Sequence, residues 1–67
     1  MIYDIFLYKN DKDAPLKYVY IDKDLAIEKY YGLKESVKIG LYYAIHLVEE
    51  IKPDTYKPIV SYSHAND

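Results

Sequence analysis

The sequence predicts a small α+β protein in which an antiparallel β-hairpin or small sheet carries a long amphipathic helix on one face. Three observations predict this class. Two segments rich in β-branched and aromatic residues flank a polar stretch near the N-terminus, apolar residues recur at spacings of three and four through the middle, and a short β-prone segment follows a proline-containing turn. We therefore predict one domain over residues 1–67 with the element order β, β, α, α, β.

The hairpin is predicted from residues 2–9 and 16–22, whose sequences are IYDIFLYK and LKYVYID. The segment NDKDAP between them consists largely of turn-forming residues. Successive side chains of a strand point to opposite faces, so a register that pairs odd with odd positions would sort them by type. One face would then be aliphatic, with Ile5, Leu7, Val19 and Ile21. The other would be aromatic, with Phe6, Tyr8, Tyr18 and Tyr20.

Two helices are predicted after the hairpin. Asp24 is the expected N-cap of the first, and Gly32 suits the position just beyond its end. The second is expected to run from Leu33 to about Lys52, where the following Pro53 disfavours helical geometry.

Gly40 would fall inside this second helix, where glycine costs about 1 kcal/mol relative to alanine. We therefore expect Gly40 to mark a close approach to the sheet or to the other helix. After the turn PDTYKP, residues 59–63 form the predicted third strand. The tail HAND, residues 64–67, is expected to fray.

Residues 24–43 partly resemble a helix-turn-helix with Gly32 as the turn glycine. Glu28 and Lys38 depart from the motif, because they occupy positions where it carries a small and an aliphatic residue. The alternative function is therefore a small DNA-binding regulator that would use Lys34, Lys38 and Tyr42. The chain has no arginine to pair with guanine and a net charge of −2 at pH 7, so nucleic acid is not an expected partner.

Residues that could carry chemistry are sparse. His46 and Glu50 lie four residues apart, but two ligands do not make a metal site, and His64 belongs to the predicted tail. No serine has a recognisable nucleophile context. We expect no catalytic residues, no metal, no cofactor and no enzymatic activity.

The size and composition of the chain limit which partners and which cellular compartment we expect. A chain of 67 residues without cysteine has a small core and no disulfides, which makes a homodimer a possible source of stability. The N-terminus has no basic leader, and Asp4 interrupts its apolar stretch, so we expect a cytoplasmic protein with no membrane partner.

Protein binding is the function that best fits the predicted aromatic face. Tyrosine offers broad apolar contact with few rotatable bonds, and a strand containing Tyr62 could extend the surface. The predicted protein-binding residues are Phe6, Tyr8, Tyr18, Tyr20 and Tyr62. The alternative is that these tyrosines replace phenylalanine in an ordinary core, with their hydroxyls reaching the surface.

The narrower hypothesis concerns origin. All nine basic residues are lysines and ten residues are tyrosines, a bias typical of AT-rich genomes such as those of low-GC bacteria and their phages. With the small size, this favours a non-enzymatic inhibitor carried by a phage or mobile element. It would act in the host cytoplasm by occupying the surface of a host protein such as a defence nuclease.

Overall fold

The computed structural model describes residues 1–64 and contains four strands and one helix in that range. These are β1 (Ile2–Tyr8), β2 (Leu16–Tyr20), α1 (Lys23–Lys38), β3 (Ala44–Lys52) and β4 (Thr55–Ser63). All neighbouring strands pair antiparallel in the order β2-β1-β3-β4, and α1 packs on one face of this sheet. The α+β class and the N-terminal hairpin are confirmed. The predicted order with two helices is wrong.

The helix α1 runs without a break through Gly32, so neither the predicted end there nor a second helix from Leu33 to Lys52 exists. A Cβ built at Gly32 would meet no atom within 4 Å, which places this glycine against open space. The cost of one exposed helical glycine is about 1 kcal/mol. Burial of one helix face against the sheet outweighs that cost, because tertiary packing supplies most helical stability.

Asp22, and not the predicted Asp24, is the N-cap of α1. Its Oδ1 accepts hydrogen bonds from the backbone N–H groups of Asp24 at 2.8 Å and Leu25 at 3.3 Å. Asp24 lies instead in the first turn, where its negative charge is attracted to the positive end of the helix dipole.

The C-terminus of α1 has the hydrogen bonds of a Schellman motif. The N–H of Gly40 donates to the carbonyl of Val37, and the N–H of Leu41 donates to that of Ser36, both at 3.0 Å. Gly40 has φ +84°, a left-handed conformation that glycine adopts without strain. The glycine just beyond the helix is thus Gly40, and its expected position inside a second helix is wrong.

Residues 44–52 form the strand β3 and not a helix. Ile45 and Leu47 are fully buried on the side of α1, while Ala44 and Val48 are buried on the opposite side. A central strand buried on both faces has no clean alternation of polar and apolar residues. Its apolar positions therefore matched the helical spacing by coincidence.

The β3–β4 hairpin turns through two residues, Pro53 and Asp54, of which Asp54 has φ +65°. Pro53 thus ends a strand rather than the predicted helix. The next strand begins at Thr55, four residues before the predicted start. Shifts in the β3–β4 register leave Ile51 and Ile59 as extra residues, which bends this hairpin.

The predicted tail begins with an ordered residue, because the N–H of His64 donates to the carbonyl of Tyr43 at 2.9 Å. The expectation of fraying is therefore wrong for His64. The other three residues of the tail lie outside the described part of the chain. No helix among residues 1–64 is long and apolar enough to cross a membrane.

The β1–β2 register pairs odd with even positions. Tyr18 lies opposite Ile5, and Tyr20 lies opposite Tyr3. The predicted sorting into an aliphatic and an aromatic face is therefore wrong, because residues directly opposite each other share a face. The side facing α1 mixes both types.

The core lies between α1 and the two central strands. Its fully or almost fully buried members are Ile5, Leu7, Ala26, Tyr30, Val37, Ile45 and Leu47. The ring of Tyr30 packs edge-to-face against that of Tyr31, with centroids 5.1 Å apart. The Tyr30 hydroxyl has no hydrogen-bond partner among residues 1–64. Burial raises the pKa of Tyr30 above its usual value of 10.0, and the neighbouring Tyr31 raises it further.

Candidate interaction surface

The sheet face opposite α1, called the open face from here on, has no helix or strand of the described chain packed on it. Phe6 lies directly opposite Lys17 on one neighbouring strand and His46 on the other, so the three side chains share this face. Four rings on the open face form what we call the aromatic patch: Phe6, Tyr8, His46 and Tyr56.

The rings of the aromatic patch are arranged in two edge-to-face pairs. Phe6 and Tyr56 have centroids 5.8 Å apart and an interplanar angle of 86°, while Tyr8 and His46 are 5.5 Å apart at 79°. Such pairs contribute about 0.5–1.5 kcal/mol beyond their buried area. Phe6 and Tyr8 are half-buried, whereas His46 and Tyr56 are exposed. The patch is thus partly fixed by its own packing while two of its rings remain accessible.

Asp4 lies at the centre of the open face and is fully buried, between Val19 on β2 and Val48 on β3. Neither carboxylate oxygen accepts a hydrogen bond from the described residues. The nearest positive charge is the Nζ of Lys17, 3.8 Å from Oδ2, and the Lys17 side chain is 46% exposed. A buried carboxylate with one long ion pair costs stability, so Asp4 is not explained by folding alone.

Sequence reasoning missed Asp4 as a surface feature. From the sequence, Asp4 was interpreted as an interruption of an apolar stretch and not as part of a surface. The signal was present, because Asp4 shares its parity with Phe6 and Tyr8 and must therefore share their face of β1.

The structure divides the five predicted protein-binding residues between the two faces. Phe6 and Tyr8 belong to the open face, while Tyr18, Tyr20 and Tyr62 pack partly buried against the core on the α1 side. These three match the alternative in which tyrosines belong to the core. The predicted set therefore does not form one surface.

Two helical lysines lie over tyrosine rings on the α1 side. The Nζ of Lys29 lies 5.2 Å from the ring centroid of Tyr18, and that of Lys34 lies 4.9 Å from the centroid of Tyr62. Both distances fall within the range of cation–π attraction. Each lysine thus helps to hold an outer strand to the helix.

The helix-turn-helix interpretation of residues 24–43 is wrong, because α1 ends at Lys38 and no second helix follows in that segment. Lys34 lies in α1 beside the Tyr62 ring, and Lys38 is the last helical residue. Tyr42 lies between α1 and β3 and packs partly buried against the core. The three residues therefore do not line one recognition helix.

A groove runs between α1 and β2 on the other side of the sheet. It has a volume of about 440 Å³ and is lined by Tyr20, Leu25, Glu28, Lys29, Gly32 and Leu33. Four strands spaced about 4.8 Å apart are wider than one helix of about 10 Å diameter. Because α1 covers the central strands, β2 is left with this uncovered margin.

The residues considered for metal binding are not brought together. His46 packs on Tyr8, whereas His64 lies near Gly40, 3.7 Å from a Cβ built there. Residues 1–64 contain no group of three or more His, Asp or Glu side chains that could hold a metal ion. No protein-family model, curated protein or solved structure was found to match this chain.

Proposed function

We propose that this chain is a non-enzymatic protein-binding module that docks on another protein through its open face. The observation that supports this proposal is the aromatic patch beside a buried, hydrogen-bond-deficient Asp4 on an uncovered face. Aromatic side chains dominate the energetically important positions of protein interfaces. Their edge-to-face packing lowers the entropy lost on binding, because the rings are already ordered.

The charges of the open face define the kind of partner that fits. Lys17 is half-exposed and lies 6.0 Å from the Phe6 centroid, so its ammonium group can approach a carboxylate of the partner while it stays beside Asp4. The aromatic patch itself fits an apolar surface on the partner. We infer a partner surface with an apolar centre and an acidic group at its margin.

The inhibitor hypothesis adds a class of partner. It assigns the chain to a phage or mobile element and the docking surface to a host protein such as a defence nuclease. Its support is the small size together with the AT-rich coding composition. This assignment is an analogy between small proteins of similar composition, separate from the physical argument for the open face.

The test compares two matched double substitutions. Tyr8→Ser with Tyr56→Ser removes two rings of the aromatic patch, while Tyr31→Ser with Tyr43→Ser removes two rings from outside it. Tyr31 and Tyr43 are 53% and 40% exposed, so the control also removes two accessible tyrosines. Each variant is first shown to fold by circular dichroism and denaturant unfolding.

Tagged wild type and both variants are then used to capture proteins from lysates of candidate host bacteria, followed by mass spectrometry. We expect a protein retained by the wild type and the control but lost with the patch variant. Titration calorimetry with that purified protein should show at least about a tenfold loss of affinity for the patch variant. Equal binding by the patch variant would refute docking through the open face.

A further inference from the structure

The two outer strands of the sheet differ in how open their edges are. On β4, Pro58 lacks an N–H and Ile59 is an extra, bulged residue, and both features oppose the addition of another strand. On β2, five residues pair with β1 without a register shift, and no proline interrupts them. The outer edge of β2 therefore presents regular, unpaired backbone groups.

Four exposed apolar side chains lie at or near the β2 edge. Val19 is 57% exposed, Ile21 82% and Leu25 54%. Leu16 at the start of β2 is 39% exposed, and the groove beside α1 opens next to Tyr20. Lys17 is the one charged residue of β2, and a single lysine leaves most of this edge apolar and able to pair.

We propose that the β2 edge pairs with β2 of a second copy, which gives a twofold-symmetric dimer with one continuous eight-stranded sheet. The proposed register is antiparallel and centred on Tyr18, so that each Tyr18 lies opposite the Tyr18 of the other copy. This proposal does not depend on docking through the open face.

In this register, apolar residues at both ends of β2 meet apolar residues of the second copy, and no like charges lie directly opposite each other. Lys17 lies opposite Val19 of the second copy, and the symmetry repeats this pair on the other side of the axis. Like charges directly opposite each other would weaken the sheet, and this register places none there. Just beyond β2, Ile21 falls opposite Pro15 of the second copy, so its exposed side chain gains an apolar neighbour.

The α1 side of the sheet has space for the second copy. Leu16 of the second copy would lie beside Tyr20, at the mouth of the groove that Leu25 also lines. The two helices do not collide, because each lies over the central strands of its own sheet. With strands about 4.8 Å apart, the helix axes would be about 19 Å apart, beyond the 8–10 Å of packed helices.

A second copy is preferred to a strand of another protein because it supplies apolar neighbours for Ile21 and Tyr20 from this chain's own Pro15 and Leu16. The small hydrophobic core of this short chain and the absence of cysteine also favour self-association as a source of stability. Packing between the exposed faces of two α1 helices is disfavoured, since Lys23, Glu28, Glu35 and Lys38 are exposed there.

The test uses Val19, which lies opposite Asp4 within the chain and opposite Lys17 of the proposed second copy. Val19→Lys places a positive charge against Lys17 at both symmetric pairs, whereas Val19→Glu places a negative one there. Within one chain the order is reversed, because the new lysine would attract Asp4 and the new glutamate would repel it. Val19→Glu should therefore dimerise more strongly than Val19→Lys, whereas Val19→Lys should have the higher free energy of unfolding as a single chain.

Association is measured on the full chain by sedimentation equilibrium and light scattering from about 1 μM to about 1 mM, and stability by urea unfolding. We expect a wild-type dimer, about tenfold weaker association for Val19→Lys than for Val19→Glu, and a difference that shrinks at high salt. The double variant Tyr8→Ser with Tyr56→Ser should still dimerise, which separates this result from the function of the open face.

Two results would overturn the proposal. A wild-type chain that stays monomeric throughout this range would leave the β2 edge to a strand of a different protein. A dimer that Val19→Lys and Val19→Glu affect equally, or that Val19→Glu weakens more, would place the interface elsewhere.

Discussion

Replacing Tyr30 with phenylalanine should stabilise the protein. The Tyr30 side chain is fully buried, and its hydroxyl has no hydrogen-bond partner among the described residues. In the unfolded chain water satisfies that hydroxyl, so folding leaves one polar group desolvated without compensation. Tyr30→Phe removes the group and keeps the ring in contact with the core.

The size of the effect follows from two opposing contributions. A buried, unsatisfied polar group costs about 1–3 kcal/mol. Removing one oxygen leaves a void of about 10–15 Å³, which at about 24 cal/mol per Å³ costs about 0.3 kcal/mol. The net gain should be about 1 kcal/mol, and for a domain of this size that raises Tm by about 4–8 °C.

The same residue should make stability depend on alkaline pH. Burial first, and Tyr31 second, raise the pKa of Tyr30 in the folded state above 10.0. As pH rises past about 10, the unfolded chain loses this proton before the folded chain does. The free energy of unfolding is therefore unaffected by Tyr30 ionisation below pH about 10. It falls as pH rises from there through the raised pKa of the folded state.

Urea unfolding of wild type, Tyr30→Phe and the control Tyr31→Phe at pH about 7 and pH about 11 measures both effects. Tyr31 is 53% exposed, so its variant should change stability at neutral pH by less than about 0.5 kcal/mol. The advantage of Tyr30→Phe over wild type should grow at the higher pH. A loss of more than about 1 kcal/mol in Tyr30→Phe would show that the hydroxyl is satisfied and refute the reasoning.

Four substitutions in α1 and at its two ends give further predictions, each checked by thermal or urea unfolding. Gly32→Ala should stabilise by about 1 kcal/mol, because a Cβ there meets open space in a helix interior. Gly40→Ala should destabilise by about 1–2 kcal/mol, because its φ of +84° disfavours any side chain; equal effects of the two would contradict both assignments. Asp22→Ala should cost about 1 kcal/mol through loss of the N-cap, and Asp24→Ala should cost less.

Local signals in the sequence predicted the first third of the fold well. The β-branched and aromatic residues in 2–9 and 16–22, with turn formers between the two segments, were sufficient for the β1–β2 hairpin. The predicted register was wrong because neighbouring residues in the sequence do not decide whether the buried face is purely aliphatic or mixes aliphatic and aromatic side chains. Packing beneath α1 decides that choice, and it selects Tyr18 opposite Ile5.

The prediction of secondary structure after residue 32 failed for a different reason. Gly32 and Gly40 carry equal weight as helix-ending residues in a sequence, and only the Schellman hydrogen bonds at Gly40 show which one ends α1. With a helix end expected at Gly32, the apolar residues of β3 match a helical period, because both faces of that strand contain buried residues. Phe6 and Tyr8 were correctly expected to share a face, and strand alternation also places Asp4 there. Tyr56 lies on another strand, so its place beside Phe6 depends on the complete sheet.

The proline and the bulge on β4 bear on how large any assembly of this chain can become. A sheet protein with two open edges can recruit neighbours at both, and growth then continues without limit into a fibre. Among the four described strands, only β2 has an outer edge with regular unpaired backbone groups, and in the proposed dimer one neighbour would use them all. Association through strands would therefore stop after a single step, so the chain can remain dispersed at high concentration despite its many β-prone residues.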